Sequence, residues 1–540
     1  MKRSLVPIFF SALLVIALAS GALGARSAGA ATCESLISLT LPDTTITLAE
    51  SHAAGPFTPP GSATLQLPAF CRVAGVVTPA VRFEVWLPTA SAWNGKFQGV
   101  GNGGLAGTIS YSAMGAALNR NYATASTDTG HQVTNPDGVW ALGHPELIID
   151  FAYRGTHEMT VKGKAITAAL YGSQPNRSYF VGCSKGGQQA LMEAQRFPDD
   201  YQGIIAGDPA NFWTHHYLGG HLWPALAILR DTTLAHYIGP DKLQAIQDAV
   251  NKKCDALDGV VDGILADPRS CKFDPNVLLC QGPETASCLT APQIEALKAV
   301  YAGPGANIYP GLLPGAETGP GGWRAWLTGA DAAHPGAHLG LGIPFFKYFI
   351  FDDPNWDFHT LNFTTDVTFT DNKLVAGVPM ASVINAVDPD LHPFQANGGK
   401  LIHYHGFSDP DITPINSINY FESVTKVMGK GRQDEGNGLR LTQQFYRLFM
   451  VPGMQHCAGG PGTDHFDALT ALERWVELGI APDRIIASHV EGSVTTMTRP
   501  LCPYPQLATY TGHGDTNDAA NFVCKRPEDD QGDDQGDDSD

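Results

Sequence analysis

The chain has 540 residues, 43% of them apolar and 16% charged, with a net charge of −19. That length predicts two domains, or one large domain with an insertion, and the ordinary apolar content excludes wholesale disorder. So acidic a chain is a poor coat for nucleic acid or anionic lipid, and neither nucleic acid nor membrane is expected as a partner. Part of the excess is local. Residues 528–540 (EDDQGDDQGDDSD) hold eight carboxylates and no base, which leaves −11 for the rest, and they read as a solvated, disordered tail.

Residues 1–30 read as a leader: Lys2 and Arg3, an apolar stretch from Leu5 to Ala19, then small residues through Ala31. The apolar run is shorter than the roughly 20 residues a bilayer span needs, so cleavage between Gly24 and Ala31 is expected, giving a secreted or periplasmic protein. All ten cysteines follow it, an even number, as disulfides in an oxidising compartment require. Neighbours in sequence suggest Cys33–Cys71, Cys254–Cys271, Cys280–Cys288 and Cys502–Cys524, leaving Cys183 and Cys457. Spacing alone does not fix that connectivity.

From about residue 75, strands alternate with helices. Ala80–Leu87, Gly95–Val100, Tyr122–Thr127, Arg177–Val181 and Ile204–Ala206 read as strands. A glycine-rich turn, Gly101–Gly104, follows the second. Thr156–Tyr171 has helical spacing and stops at Gly172, and a second helix runs to Phe197. The rhythm breaks over 210–392, which is rich in Gly and Pro and holds five of the nine tryptophans, Trp213, Trp223, Trp323, Trp326 and Trp356. It returns with strands Lys400–His405 and Arg447–Val451 and a helix Asp464–Leu478, whose Phe466, Leu469, Leu472 and Val476 share one side and which Gly479 would cap. The expected class is α/β: a doubly covered, mostly parallel sheet over 31–209 and 393–527, with 210–392 as a second domain inserted into it.

Gly182-Cys183-Ser184-Lys185-Gly186 fits G-x-S-x-G between a strand and a helix. Small residues are needed at both ends because the nucleophile sits on a strained, tight turn. A serine hydroxyl needs a base, and the base an orienting acid, in the order Ser, Asp, His on successive strand-end turns. Asp409 follows the strand Lys400–His405, and His456 follows Arg447–Val451; Asp411 is the alternative acid, while His403 and His405 read as structural. Cys183 precedes the serine and Cys457 follows the histidine, so a triad formed from these residues would bring the two remaining cysteines together. The developing oxyanion needs donors: the N–H of Lys185 is one, and Gly103 is the expected second. Asp255-Ala-Leu-Asp258-Gly-Val-Val-Asp262-Gly-Ile264 places three carboxylates around two glycines, which spacing reads equally as a calcium loop or an acidic turn.

GCSKGG, HGFSDPDITP and GMQHC together resemble the Cys-Ser, Asp, His-Cys pattern of the tannase and feruloyl esterase family. RPLCPYPQLATYTG and FFKYFIFDDPNWDF are similar to stretches of the same family. The resemblance implies an α/β-hydrolase core with a large lid, a Cys183–Cys457 disulfide, and a triad of Ser184, Asp409 and His456. It also implies a structural calcium ion in the lid, held by Asp255, Asp258 and Asp262 with the carbonyls of Val260 and Ile264, and no organic cofactor. The expected activity is hydrolysis of esters of aromatic acids through an acyl-enzyme. Feruloyl or chlorogenate-type esters come first, then gallate or terephthalate half-esters, and a catalytically silent binding protein is the remoter alternative.

Overall fold

Alternate residues of the central strands point to opposite sides, and both sides are apolar. Phe180, Ile204, Leu401 and Leu448 enter one buried cluster; Tyr179, Ile205, Ile402 and Phe449 enter another. Strands that are apolar on both sides must be covered on both. The computed structural model describes residues 31–105, 107–133, 136–430 and 436–526, so the expected leader and acidic tail lie outside it.

Nine strands form one sheet: β1 Thr44–His52, β2 Phe70–Val77, β3 Val81–Pro88, β4 Lys96–Val100, β5 Ala123–Thr127, β6 Arg177–Cys183, β7 Gly203–Gly207, β8 Lys400–Gly406 and β9 Tyr446–Val451. Their order is β1-β2-β3-β5-β4-β6-β7-β8-β9. The pairings β1–β2, β2–β3 and β3–β5 are antiparallel, and every pairing from β5 to β9 is parallel. The antiparallel edge starts at Thr44, well before the alternation that the sequence shows. Its first strand, TTITLAESH, is a half-exposed edge with little apolar periodicity to betray it.

The principal helices are α1 Tyr111–Asn119, α2 Gly155–Tyr171, α3 Lys185–Arg196, α4 Leu243–Cys254, α5 Ala337–Phe345, α6 Pro414–Gly429 and α7 Ala468–Leu478. Met159 of α2, Leu191 of α3 and Phe421 of α6 join the cluster on one face of the sheet. Ala117 of α1 and Leu472 of α7 join the cluster on the other. Helix α7 begins four residues later than its periodicity suggests, because the Asp467 side chain accepts the Thr470 N–H and caps it there. Phe466 is therefore outside the helix, edge-on to Tyr404, and Trp475 rather than Val476 is fully buried on its inner side.

The residues between β7 and β8 fold as helices and π-helical turns around Trp213, Trp323, Phe345 and Phe346, and this cluster is continuous with Trp140 and Phe151 of the sheet domain. Phe151 sits at the junction, with ring centroids 5.3 Å from Trp140 and 5.4 Å from Trp213. Five disulfides are present: Cys33–Cys71, Cys183–Cys457, Cys254–Cys271, Cys280–Cys288 and Cys502–Cys524. Replacing Phe151 by Ala opens a cavity at the junction of insertion and sheet. It is expected to destabilise the protein by about 3–5 kcal/mol, read as a lower urea midpoint.

Candidate active site

Ser184 lies between β6 and α3 with φ 63° and ψ −123°, a conformation that costs a non-glycine residue about 1–3 kcal/mol. Its neighbours permit that turn only because they lack side chains. A Cβ on Gly182 would lie 2.2 Å from the Gly186 carbonyl oxygen, and one on Gly186 would lie 3.1 Å from the Asn102 carbonyl oxygen. The turn is fixed by the Ser184 N–H, which donates to Gly207 (3.0 Å), and by the Ser184 carbonyl, which accepts from Gln188 and Ala210. The serine thus projects from a rigid corner at the N-terminus of a helix.

The glycine-rich turn runs alongside. The Gly101 N–H donates to the Val181 carbonyl (3.0 Å) and the Asn102 N–H to Gln189 Oε1 (3.1 Å). Gly103, the next residue, is exposed, and Lys185 opens α3 directly after the serine. The Lys185 side chain turns inward, under the elbow, with Nζ 4.1 Å from the Phe151 ring centroid. Burial pushes its amine well below the usual lysine range.

Asp409 follows β8 and His456 follows β9. His456 Nδ1 is 2.7 Å from Asp409 Oδ2, while Asp409 Oδ1 accepts the N–H groups of Asp411 (2.8 Å) and Ile412 (3.0 Å). Burial works against a charge on Asp409, but His456 and His405 outweigh it and hold the carboxyl well below its ordinary range. Burial likewise pushes His456 down, yet Asp409 and then Asp411 hold it up at about 10. Among the described residues the Ser184 hydroxyl makes no hydrogen bond to His456; Nε2 lies 3.4 Å from Asp411 Oδ2. Resting sites are often this loose before substrate arrives.

The serine and histidine turns are joined covalently by Cys183–Cys457. Cys457 also has positive φ, 64°, and its N–H donates to Asp208 Oδ2 (3.2 Å), whose other oxygen accepts the Gly406 N–H (2.7 Å). Asp208, itself at φ 34°, therefore ties the ends of β7, β8 and the histidine turn together. Burial pushes its carboxyl up to about 6, partly offset by His405. Sequence reasoning passed over Asp208, although it follows a parallel strand as Asp409 does. It also passed over His405 as more than structural: Nε2 is 3.3 Å from Asp409 Oδ2. The His403 ring bonds Tyr446 and Ser417. Of the five insertion tryptophans, Trp326 meets the site, edge-on to His456 with centroids 5.1 Å apart, whereas Trp213 and Trp323 are buried in the apolar cluster that the insertion shares with Phe151.

The acidic loop lies at the end of α4, inside the Cys254–Cys271 bridge. Asp255 Oδ1 accepts the Gly263 N–H (2.9 Å), Asp258 accepts from Val260 and Ala266, and Asp262 accepts from Ile264. Against the three carboxylates, among the described residues, stands Arg499, 2.8 Å from Asp262. Burial, then the like charges of Asp262 and Asp255, push Asp258 up to about 6. The loop keeps an excess of negative charge, and its carboxylate oxygens already accept backbone N–H groups and Arg499.

The elbow geometry makes a specific demand on Gly182. Gly182→Ala should fold but displace Ser184, lowering turnover by about a hundredfold or more, with melting temperature measured alongside.

Residues 65–525 match the family model described as "Tannase and feruloyl esterase". The chain is 44% identical to an uncharacterized esterase of Xanthomonas campestris pv. campestris, over 94% of this chain and 93% of that one. It is 34% identical to the mono(2-hydroxyethyl) terephthalate hydrolase of Piscinibacter sakaiensis, over 90% and 89%. The crystal structure of feruloyl esterase B from Aspergillus oryzae superposes with a TM-score of 0.81 at 30% identity, covering 91% of this chain and 99% of that one. With an α/β-hydrolase sheet and these relatives, the chain belongs to the tannase and feruloyl esterase family and is a carboxylic ester hydrolase.

Proposed function

We propose that the protein is an exported serine esterase that hydrolyses esters of aromatic acids, with hydroxycinnamate esters of the feruloyl and chlorogenate type as its preferred substrates. The observation that carries this reading is the Asp409–His456 pair, bound through Cys183–Cys457 to a serine on a strained strand-to-helix turn. Ser184 Oγ attacks the ester carbonyl as His456 takes its proton, and Asp409 orients the ring and stabilises the imidazolium. The N–H groups of Lys185 and Gly103 bind the oxyanion. His456 returns the proton to the departing alcohol, and water then releases the acid by the same steps in reverse. Trp326, against the imidazole, offers an aromatic wall to the acyl ring. Feruloyl esterase B and mono(2-hydroxyethyl) terephthalate hydrolase, by their names, act on esters of aromatic acids, which supports the substrate class. Five disulfides support an oxidising compartment.

A calcium ion in the acidic loop belongs to the same proposal. Asp255, Asp258 and Asp262 would supply carboxylate oxygens, and Val260 and Ile264 carbonyls. The ion would neutralise the loop's charge and serve structure alone.

Two measurements test these points. Methyl ferulate, chlorogenate, methyl gallate and mono(2-hydroxyethyl) terephthalate are assayed with wild type and Ser184→Ala. Wild type should turn over the hydroxycinnamates fastest, and the variant should lose at least about ten-thousandfold in kcat. Full activity in the variant would remove Ser184 from the chemistry. For the loop, chelation should lower the melting temperature and calcium restore it, with Asp258→Asn blunting both changes.

A further inference from the structure

Asp411 is buried, 3% exposed, and sits where the insertion meets the sheet domain. One oxygen, Oδ2, is 3.4 Å from His456 Nε2. The other, Oδ1, is surrounded by insertion histidines: His221 Nε2 at 2.8 Å, His216 Nε2 at 3.9 Å and His338 Nε2 at 4.0 Å. His216 and His221 reach it together because residues His216–Leu222 form a π-helical turn. At α-helical pitch, residues five apart diverge by about 140°. The wider turn brings their rings to a centroid separation of 4.3 Å on one side. Such turns are uncommon and concentrate at functional sites.

The imidazole of His456 thus has a carboxylate on each nitrogen, Asp409 at Nδ1 and Asp411 at Nε2. Asp409 comes from the same turn as Asp411, but only Asp411 is bonded to the insertion. We propose that Asp411 is a positioning residue: a second carboxylate partner of His456, anchored to the insertion by His221, which holds the ring from its Nε2 side. This rests on the reading of His456 as the base. From the sheet domain Asp208 also faces His456 and His405 faces Asp409; from the insertion His216 faces His456, and Tyr217 and Tyr309 face Asp411. Burial, then His221, push His216 well below the ordinary histidine range, so it brings little positive charge to oppose Asp411.

A base flanked by two carboxylates gives up its proton only at higher pH, so kcat/KM should rise with pH through an acid limb above the ordinary imidazole value of about 6.5. An opposite charge at this range is worth about one to three pK units. Asp411→Asn keeps the shape and removes the charge; it should lower the acid limb by at least about one unit, giving roughly tenfold more of the plateau rate at pH values below it. His221→Gln leaves the carboxylate in place and should keep the limb high. An unmoved limb in folded Asp411→Asn, or an equal fall in both variants, would overturn the proposal.

If Asp411→Asn does not fold, imidazole nitrogen NMR of Ser184→Ala decides the matter: His456 should still be doubly protonated at pH 7, and a neutral ring there would overturn the proposal as well. Failure of the underlying reading looks different. His456→Ala would then retain wild-type turnover, whatever the acid limb does.

Discussion

Cys183 and Cys457 stand beside the proposed nucleophile and the proposed base, 274 residues apart in sequence, and the bond between them is the constraint on which the site depends. On the chain-entropy model, closing a loop of that length contributes on the order of 5 kcal/mol. Its local effect matters more. Ser184 and Cys457 both occupy the left-handed region, where side chains are disfavoured, and the bridge joins one to the residue beside the other. Asp208 takes up the Cys457 N–H and the Gly406 N–H, so three strand ends are fixed against one another without any of the proposed reacting groups being used for support.

The second organising feature is charge held in a buried seam. Asp208, Asp409 and Asp411 surround two histidines, His405 and His456, and all five are buried or nearly so. Burial leaves these charges less screened than at the surface, so each carboxylate acts on the imidazole more strongly than it would in water. The insertion also brings residues of its own. Trp326 and the His216–His221 pair both sit on π-helical turns, and both face His456 or its partner Asp411. The insertion therefore contributes residues to the candidate site.

The sequence made the parallel half of the sheet legible because its strands alternate with helices that end at Gly172 and Gly479, where φ is 75° and 71°. The serine, aspartate and histidine stood out because each follows such a strand on a short turn. What it hid has physical causes. The strand Thr44–His52 is an edge with a mixed pattern, and helix α7 is set by a cap at Asp467 rather than by its apolar spacing. The π-helical turns leave no periodic trace that distinguishes them from α-helix, so the meeting of His216 and His221 over Asp411 could not be read from spacing. Asp208 was in principle findable, as an acidic residue at a parallel strand end.

The most direct measurement is the turnover of the Cys183→Ala, Cys457→Ala double variant, with circular dichroism and the other four disulfides verified. If the bridge holds the serine and histidine turns in register, kcat/KM should fall by about a hundredfold or more in a protein that remains folded, because a displacement of about 1 Å at the reacting groups costs that much. A folded double variant with wild-type kcat/KM would contradict the account.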